Sequence, residues 1–491
     1  MAKGLFAKKN IQDMKHEVSG KKGGLERTLT GINLISMGIG AIVGAGVFVL
    51  VGQASAAYAG PAVALSFILA ALVCVFAAFC YAELSSTIPI SGGPYTYSYA
   101  TLGEFFAWTI GWTITLQYLV SATTVAVGWS GYLSSFLSDF NIHLPAAIAS
   151  APLAYDIETG WAKTGAFVNL PAVLIIGGIG ALVAFGIKAA TRFNNIIVVT
   201  KVTVIVLFIA IGIAYINPDN WKPFIPDNLG QFGQFGFSGI LRGAGALFFA
   251  YVGFDALSTL AQEAKNPQKD LPVGMVGSLS ISATIYVVMA LVLTGLASYK
   301  TLGGPAPMGV ALQAFGPKFH WFTYVAKFGI LAGLTSVIMV MLLAQTRVYL
   351  AMSKDGLLPK SMGKIHRKFH TPFINTIVIT VFGMLVSGFF PVGILGQLVS
   401  IGTLLVFGIV CFGVLLLRYR QPSLHRPFKV PFFPWIPLIG AMACFMQMAA
   451  LPSVTWVQFL IWQFIGYCIY FGYSIRHSHI RKQHKAAHHG K

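Results

Sequence analysis

The amino-acid sequence predicts an all-α membrane protein of twelve transmembrane helices: a five-plus-five inverted-repeat core with broken helices 1 and 6, and two peripheral helices. Three observations carry the prediction. Of 491 residues, 56% are hydrophobic and 10% charged, where a soluble chain has roughly a quarter of its residues charged. Long runs lack any charged side chain, from Arg27 to Glu83, Glu104 to Asp139, Asp270 to Lys300, Lys368 to Arg418 and Lys429 to Arg476. Two apolar spans, five helices apart, are interrupted by glycine: "GIGAIVGAGVF" from Gly38 and "GALFFAYVGFDAL" from Gly245. Interrupted spans at corresponding positions of two halves point to inverted repeats with a site at the bilayer midplane.

The spans follow in order. A helix needs about 20 apolar residues to cross the hydrocarbon, so the run from Arg27 to Glu83 holds two, centred near residues 40 and 72. Single spans follow near 115, 178, 205, 250, 286 and 338, and the last two long runs hold pairs near 380 and 406 and near 441 and 464. The domains are then a basic N-terminal segment (1–27), an inverted-repeat core (28–420), peripheral helices (421–475) and a basic, histidine-rich tail (476–491). No short apolar signal region follows the N-terminal lysines, so the first span is expected to stay. The stretch "TIPISGGPYTYSYATLG" reads as a turn and an amphipathic or interfacial segment before the third span.

Lysine and arginine concentrate in the tails and in the connections on one side, whereas the other side's connections hold Lys163, Lys222, Lys300 and Lys318. The positive-inside rule therefore places both termini in the cytoplasm. The net charge of +19 is dispersed among these connections, which fits anionic inner-leaflet lipid better than nucleic acid. The tail "HSHIRKQHKAAHHG" reads as a solvated basic segment, with weak metal binding the less favoured alternative. Cys74, Cys80, Cys411, Cys444 and Cys468 lie in apolar spans without paired metal-ligand spacing and read as packing residues.

A glycine inside a helix costs about 0.5–1 kcal/mol relative to alanine, so Gly38, Gly40, Gly44 and Gly46 need a reason. Close helix packing is one, since Gly40 and Gly44 form a GxxxG pair. A break in the helix is the other, and the matching break in the sixth span favours it. Backbone freed inside a bilayer must line a cavity or bind something. Amide groups at the start of the resumed half-helix suit a carboxylate, and exposed carbonyls suit an ammonium. An α-amino acid carries both.

Lys201 lies five residues into an apolar stretch near the inner end of the fifth span. A lysine there either faces the bundle interior and marks an ion or proton path, or snorkels to the headgroups. Asp255, after the sixth-span break, reads equally as a proton site or as a helix cap. Glu83 and Glu104 read as interfacial or helix-start residues, and Glu263 as a partner for Lys or Arg. Gln117, in the middle of the third span, is either interhelical glue or part of a cavity wall.

Taken together, "GIGAIVGAGVFVL", "FCYAELSSTIPISGGPYTYSY", "KAATRFNNIIVVTKV", "FFAYVGFDAL", "EAKNPQKDLPVG" and "AQTRVYLAMSKDGLLP" resemble the amino acid, polyamine and organocation superfamily, more closely its cationic amino acid transporter branch and bacterial relatives. The resemblance runs from residue 27 to about 370, with weaker similarity beyond. It implies a leucine-transporter-like core and alternating access around a central amino acid. It further implies that the substrate carboxylate meets backbone at Gly44, Ala45 and Gly46, and the amine the carbonyls of Ile42, Phe249 and Val252. Lys201 matches a lysine thought to stand in for a sodium ion, Asp255 the acid of a "GFD" motif, and Ile338 a position bounding the pocket. Gln117 stands where many bacterial relatives have a glutamate suspected of proton coupling.

The expected function is secondary active, proton-coupled symport of an L-amino acid, neutral slightly favoured over cationic, in the cytoplasmic membrane. The coupling ion is the proton and no cofactor is expected. An exchanger without net proton flow and a non-transporting amino-acid sensor are the alternatives. A membrane enzyme is least expected, for want of a metal-ligand cluster, an activated nucleophile or a phosphate loop. Peripheral helices 11 and 12 offer a surface to lipid or to a small membrane protein.

Overall fold

In the computed structural model, the described residues are 7–9, 11, 27–44, 46–156, 160–303, 307–316, 319–449, 451 and 453–482. Among them, eight helices are long and apolar enough to cross a membrane, and four shorter apolar helices, Gly31–Ile42, Leu170–Ala184, Phe373–Phe389 and Trp435–Ala449, accompany them. Every span centre expected from the sequence falls within one of these helices. The histidine-rich tail from residue 483 and most of the basic N-terminal segment lie outside the described residues.

Two segments depart from regular helix. Helix α1 (Gly31–Ile42) starts at Thr30, whose side chain accepts from the Asn33 N–H, and stops at Val43, where ψ swings to 98°. The chain resumes in a π-helical turn, Gly46–Leu50, that leads through Val51–Ala54 and Ser55–Ala59. Farther along, helix α2 (Gly236–Leu247) tightens into the 3-10 turn Phe248–Tyr251. Three residues later a second 3-10 turn, Asp255–Leu260, completes the segment. Gly253 between them has φ +136°, which an L-residue with a side chain rarely adopts.

The long helices Val63–Thr87, Pro267–Leu296, Ile187–Ile213 and His320–Lys354 surround these two segments. The C-terminal end of the second broken segment is tied to the start of the first: Thr28 and Leu29 N–H both donate to Glu263 O at 2.9 Å, and Lys265 N–H donates to Leu29 O at 2.8 Å. Buried charges close the same side. Arg347 forks onto Glu263, Nε to Oε2 at 3.2 Å and Nη2 to Oε1 at 2.7 Å, the pairing expected for that glutamate. Cys74, Cys80, Cys411 and Cys444 are buried, and Cys468 is exposed.

Several expectations change. The segment before the third span is not interfacial: all eight residues of the helix Pro94–Thr101 are buried, because Tyr95 and Tyr99 reach inward to Asp355 and Glu104. Glu104 does start a helix, Glu104–Thr115, as expected, but it and Glu83 are buried rather than interfacial, Glu83 against Arg418, Arg426 and the Val430 N–H, and Glu104 against Tyr99, Tyr470, Ser478 and Arg481. The long connection between residues 139 and 169 carries a small antiparallel pair, β1 (Leu153–Asp156) and β2 (Gly160–Lys163). Its alternation is too short to register against the apolar background. Lys201 lies near the middle of a helix that begins at Ile187, since the polar stretch before "IIVV" is helical rather than a loop.

The Arg347–Glu263 pair is 0% and 1% exposed, so truncating one partner strands the other charge at a cost of about 3–5 kcal/mol. Arg347→Met is expected to lower the melting temperature in detergent markedly, and Glu263→Met added to it to recover most of the loss.

Candidate functional site: the paired helix breaks

A helix end leaves its last carbonyls without intrahelical partners. At the end of α1 they are met by side chains from three other helices. Lys201 Nζ donates to Ile39 O and Gly40 O at 3.0 Å, to Val43 O at 2.8 Å and to Ser336 Oγ at 2.8 Å. Ser336 Oγ also donates to Gly40 O at 2.9 Å. The Tyr286 hydroxyl lies 2.6 Å from Ile42 O and 3.0 Å from Ala250 O, so its one proton is shared between the two breaks. The ammonium therefore sits where the negative end of the helix dipole is strongest. It points into the bundle, which settles the choice between interior lysine and snorkelling lysine for this geometry.

Asp255 forms a second buried cluster. Its Oδ2 accepts from Gln117 Nε2 at 2.6 Å and from Tyr118 Oη at 2.7 Å, and Oδ1 accepts from the Gly253 N–H at 3.2 Å. The aspartate thus braces the turn it follows, and all its partners are donors. Gln117 is a partner of Asp255, and its Oε1 is buried with no hydrogen-bond partner.

The glycines serve both purposes weighed for them. A Cβ at Gly38 would overlap Ser278, one at Gly40 would meet Asn194, one at Gly44 Val337, and one at Gly46 Ala250. Gly38 and Gly40 lie within regular helix and admit neighbours, whereas Gly44 and Gly46 flank the break. Gly253 packs on Ala41 of the first break, where a Cβ would come within 2.8 Å of the alanine methyl. The two breaks are pressed directly together.

Of the positions singled out from the sequence, Ile42, Gly44, Gly46, Phe249 and Val252 are brought together at the breaks. Ala45 lies outside the described residues. Ile42 O is engaged by Tyr286, and Phe249 O accepts from the Val252 N–H at 3.2 Å. Ile338 is fully buried, but the eighth-span side chains lying against Gly44 are Val337 and Leu334. Sequence reasoning missed Tyr286, Ser336 and Tyr118. Each is a polar group in an apolar span, "SISATIYVV", "LTSVIM" and "TLQYLV", where a tyrosine or serine carries far less signal than a lysine.

The family model for amino acid permeases matches residues 29–473. The chain is 44% identical over 478 residues to the methylthioribose transporter of Bacillus subtilis, covering 97% of this chain and 99% of that one. It is 43% identical over 479 residues to the branched-chain amino acid permease BcaP of the same organism, with the same coverage. Against the vacuolar cationic amino acid transporter 4 of Arabidopsis thaliana it is 34% identical over 400 residues, 81% of this chain and 64% of the plant protein. These relatives are transporters and not enzymes. With a family match over nearly its whole length, and paired helix breaks built around an interior lysine, this multi-pass membrane protein belongs to the amino acid permease family, within the amino acid, polyamine and organocation superfamily.

Proposed function

We propose that the protein is a proton-coupled symporter of an L-amino acid, neutral in preference to cationic, working by alternating access across the cytoplasmic membrane. The observation that carries this reading is the Lys201 ammonium bonded to three carbonyls of the first helix break. In its charged form Lys201 ties the broken helix to the helices around it. Once neutral it keeps two N–H donors and no charge, so the tie loosens and the break is free to move. A substrate carboxylate is read at Gly44, Ala45 and Gly46, and the amine at Ile42, Phe249 and Val252. Tyr286 yields its two carbonyls as the amine arrives. Twelve spans in two inverted repeats of five, with two peripheral helices and both termini inside, give the frame for this motion.

The preference for a neutral substrate is supported by the side chains at the first break, Val337 and Leu334, and by Asp255, whose carboxylate is already engaged by Gln117, Tyr118 and Gly253. Branched-chain amino acids, the substrates in the name of one relative, fit such a wall. One observation favours a second reading, an amino acid exchanger: glutamine at 117 cannot titrate, and Asp255 beside it accepts only from donors.

Three outcomes follow. In liposomes with an inward proton gradient and no internal substrate, labelled leucine is expected to accumulate above equilibrium and to leak out on adding a protonophore. Alanine, arginine and methylthioribose serve as competitors. Entry only into preloaded vesicles would establish the exchanger. Lys201→Ala is expected to abolish gradient-driven uptake while the protein still reaches the membrane, and unchanged uptake would sink the coupling role. Gly46→Val pushes a side chain into Ala250, so it is expected to abolish both uptake and substrate-induced thermal stabilisation, read by melting in detergent.

A further inference from the structure

The helix Ile187–Ile213 turns more than Lys201 toward the first helix. Asn194 lies seven residues earlier, two turns toward the inner end on the same side. It is fully buried, and neither its Oδ1 nor its Nδ2 has a hydrogen-bond partner. An amide brings two donors and an acceptor, and interiors very rarely leave such a group wholly unpaired. The amide rests over Gly40, where any Cβ would collide with it. Gly40 is also the residue whose carbonyl accepts from Lys201 and Ser336. Asn194 and Lys201 therefore approach the same peptide from the inner and outer sides.

The polar line continues inward. Thr191, three residues before Asn194, is 8% exposed, and its Oγ1 is also unpartnered. Beside it Ser36 Oγ donates to Asn195 Oδ1 at 2.8 Å, both half-buried. Orphaned groups in a row, with exposure rising toward the inner end, have the chemistry of a path that takes up water. A buried site admits water when it is polar and offers two to four partners.

We propose that Asn194 and Thr191 line a hydrated inner route through which the proton on Lys201 leaves for the cytoplasm. This rests on the reading of Lys201 as the proton carrier. Water held by the Asn194 amide accepts the proton: an N–H bond of the ammonium breaks, its electron pair stays on Nζ, and an O–H bond forms on the water. The proton passes along water beyond Thr191, and lysine is left neutral. Asn194 neither gains nor loses a proton and is a positioning residue.

Among the described residues, the packed elements carry one carboxylate, Asp270, which lies against Gly31 at the start of the first helix, about two and a half turns from Gly40. Helices Gly31–Ile42 and Leu170–Ala184 carry no charged side chain. The helix of Asn194 itself adds Lys188 and Arg192 at its inner end. His320–Lys354 carries Lys327, bonded to Asp139, Arg347, bonded to Glu263, and Lys354. Pro267–Leu296 carries Lys269 and Asp270 in its first turn, where Asp270 accepts from the Asn266 N–H at 3.0 Å.

The test compares two fluxes in liposomes: net uptake driven by an inward proton gradient, which requires Lys201 to deprotonate inside, and exchange against internal substrate, which does not. Asn194→Leu keeps the volume and removes the polar groups. It is expected to slow net uptake about tenfold, the scale of losing one water-mediated hydrogen bond, while exchange stays at the wild-type rate. Asn194→Ser, which restores a hydroxyl and room for water, is expected to recover most of the net flux. Wild-type net uptake in Asn194→Leu, or a parallel loss of both fluxes that serine does not rescue, would overturn the route. Lys201→Ala runs alongside: if it blocks net uptake while Asn194→Leu does not, only the route fails, and if it leaves net uptake intact, the carrier reading fails and the route with it.

Discussion

A helix that stops inside a bilayer exposes carbonyls where no bulk water can satisfy them, and the Lys201 ammonium supplies the missing donors at the end of α1. Much of the surrounding architecture follows from that contact. The lysine must lie in mid-helix and point inward, so the helix Ile187–Ile213 packs against α1 along the side of Gly40. Ser336 completes the set of acceptors and bonds to Gly40 itself, which fixes the register of the helix His320–Lys354. Tyr286 takes the carbonyl at Ile42 and carries the constraint across to Ala250 of the second break.

The two broken segments touch each other directly. Gly253 sits on Ala41 and Gly46 on Ala250. Away from the breaks, the strand-like bonds of Thr28 and Leu29 to Glu263, and of Lys265 to Leu29, fasten the start of one segment to the end of the other. These are backbone contacts, indifferent to charge. The bonds linking the pair to the enclosing helices are of another kind: Lys201 and Ser336 at the break, and the Arg347–Glu263 fork away from it. If the pair moves as the proposed transport cycle requires, ionic and hydroxyl contacts to the frame suit control by protonation, because the bonds within the pair survive when those to the frame change.

How legible this was depends on how strongly each residue departs from its background. Apolar runs bounded by charges located the long apolar helices and their four shorter companions, and clustered glycines located both breaks, because a membrane span tolerates neither charge nor unwinding without a cause. Lys201 stands out for the same reason, although it is read as five residues into an apolar stretch near the end of its span, whereas the helix begins at Ile187. Tyr286 and Ser336 were hidden, since nothing local separates a tyrosine that bridges two carbonyls from one that lies at an interface. The environment of Gln117 was equally out of reach. Its partner Asp255 is 138 residues away, brought close only by packing of the third span on the second break.

The energy available to such a device sets a bound on how it works. One charge crossing the membrane yields about 2.3 kcal/mol per 100 mV, and one unit of pH difference adds about 1.4 kcal/mol. Shifting a two-state equilibrium from 1:99 to 99:1 takes about 5.5 kcal/mol. A single proton therefore falls short of driving a complete change of state by itself under ordinary gradients, and substrate binding must contribute the remainder. The geometry is consistent with that division. In the proposed mechanism the proton would act at Val43 and Gly40 through Lys201, and the substrate at Ile42 and Ala250 by displacing Tyr286. Both sets of carbonyls belong to the same two breaks, so each ligand changes the bonds the other must make, and neither alone satisfies them all.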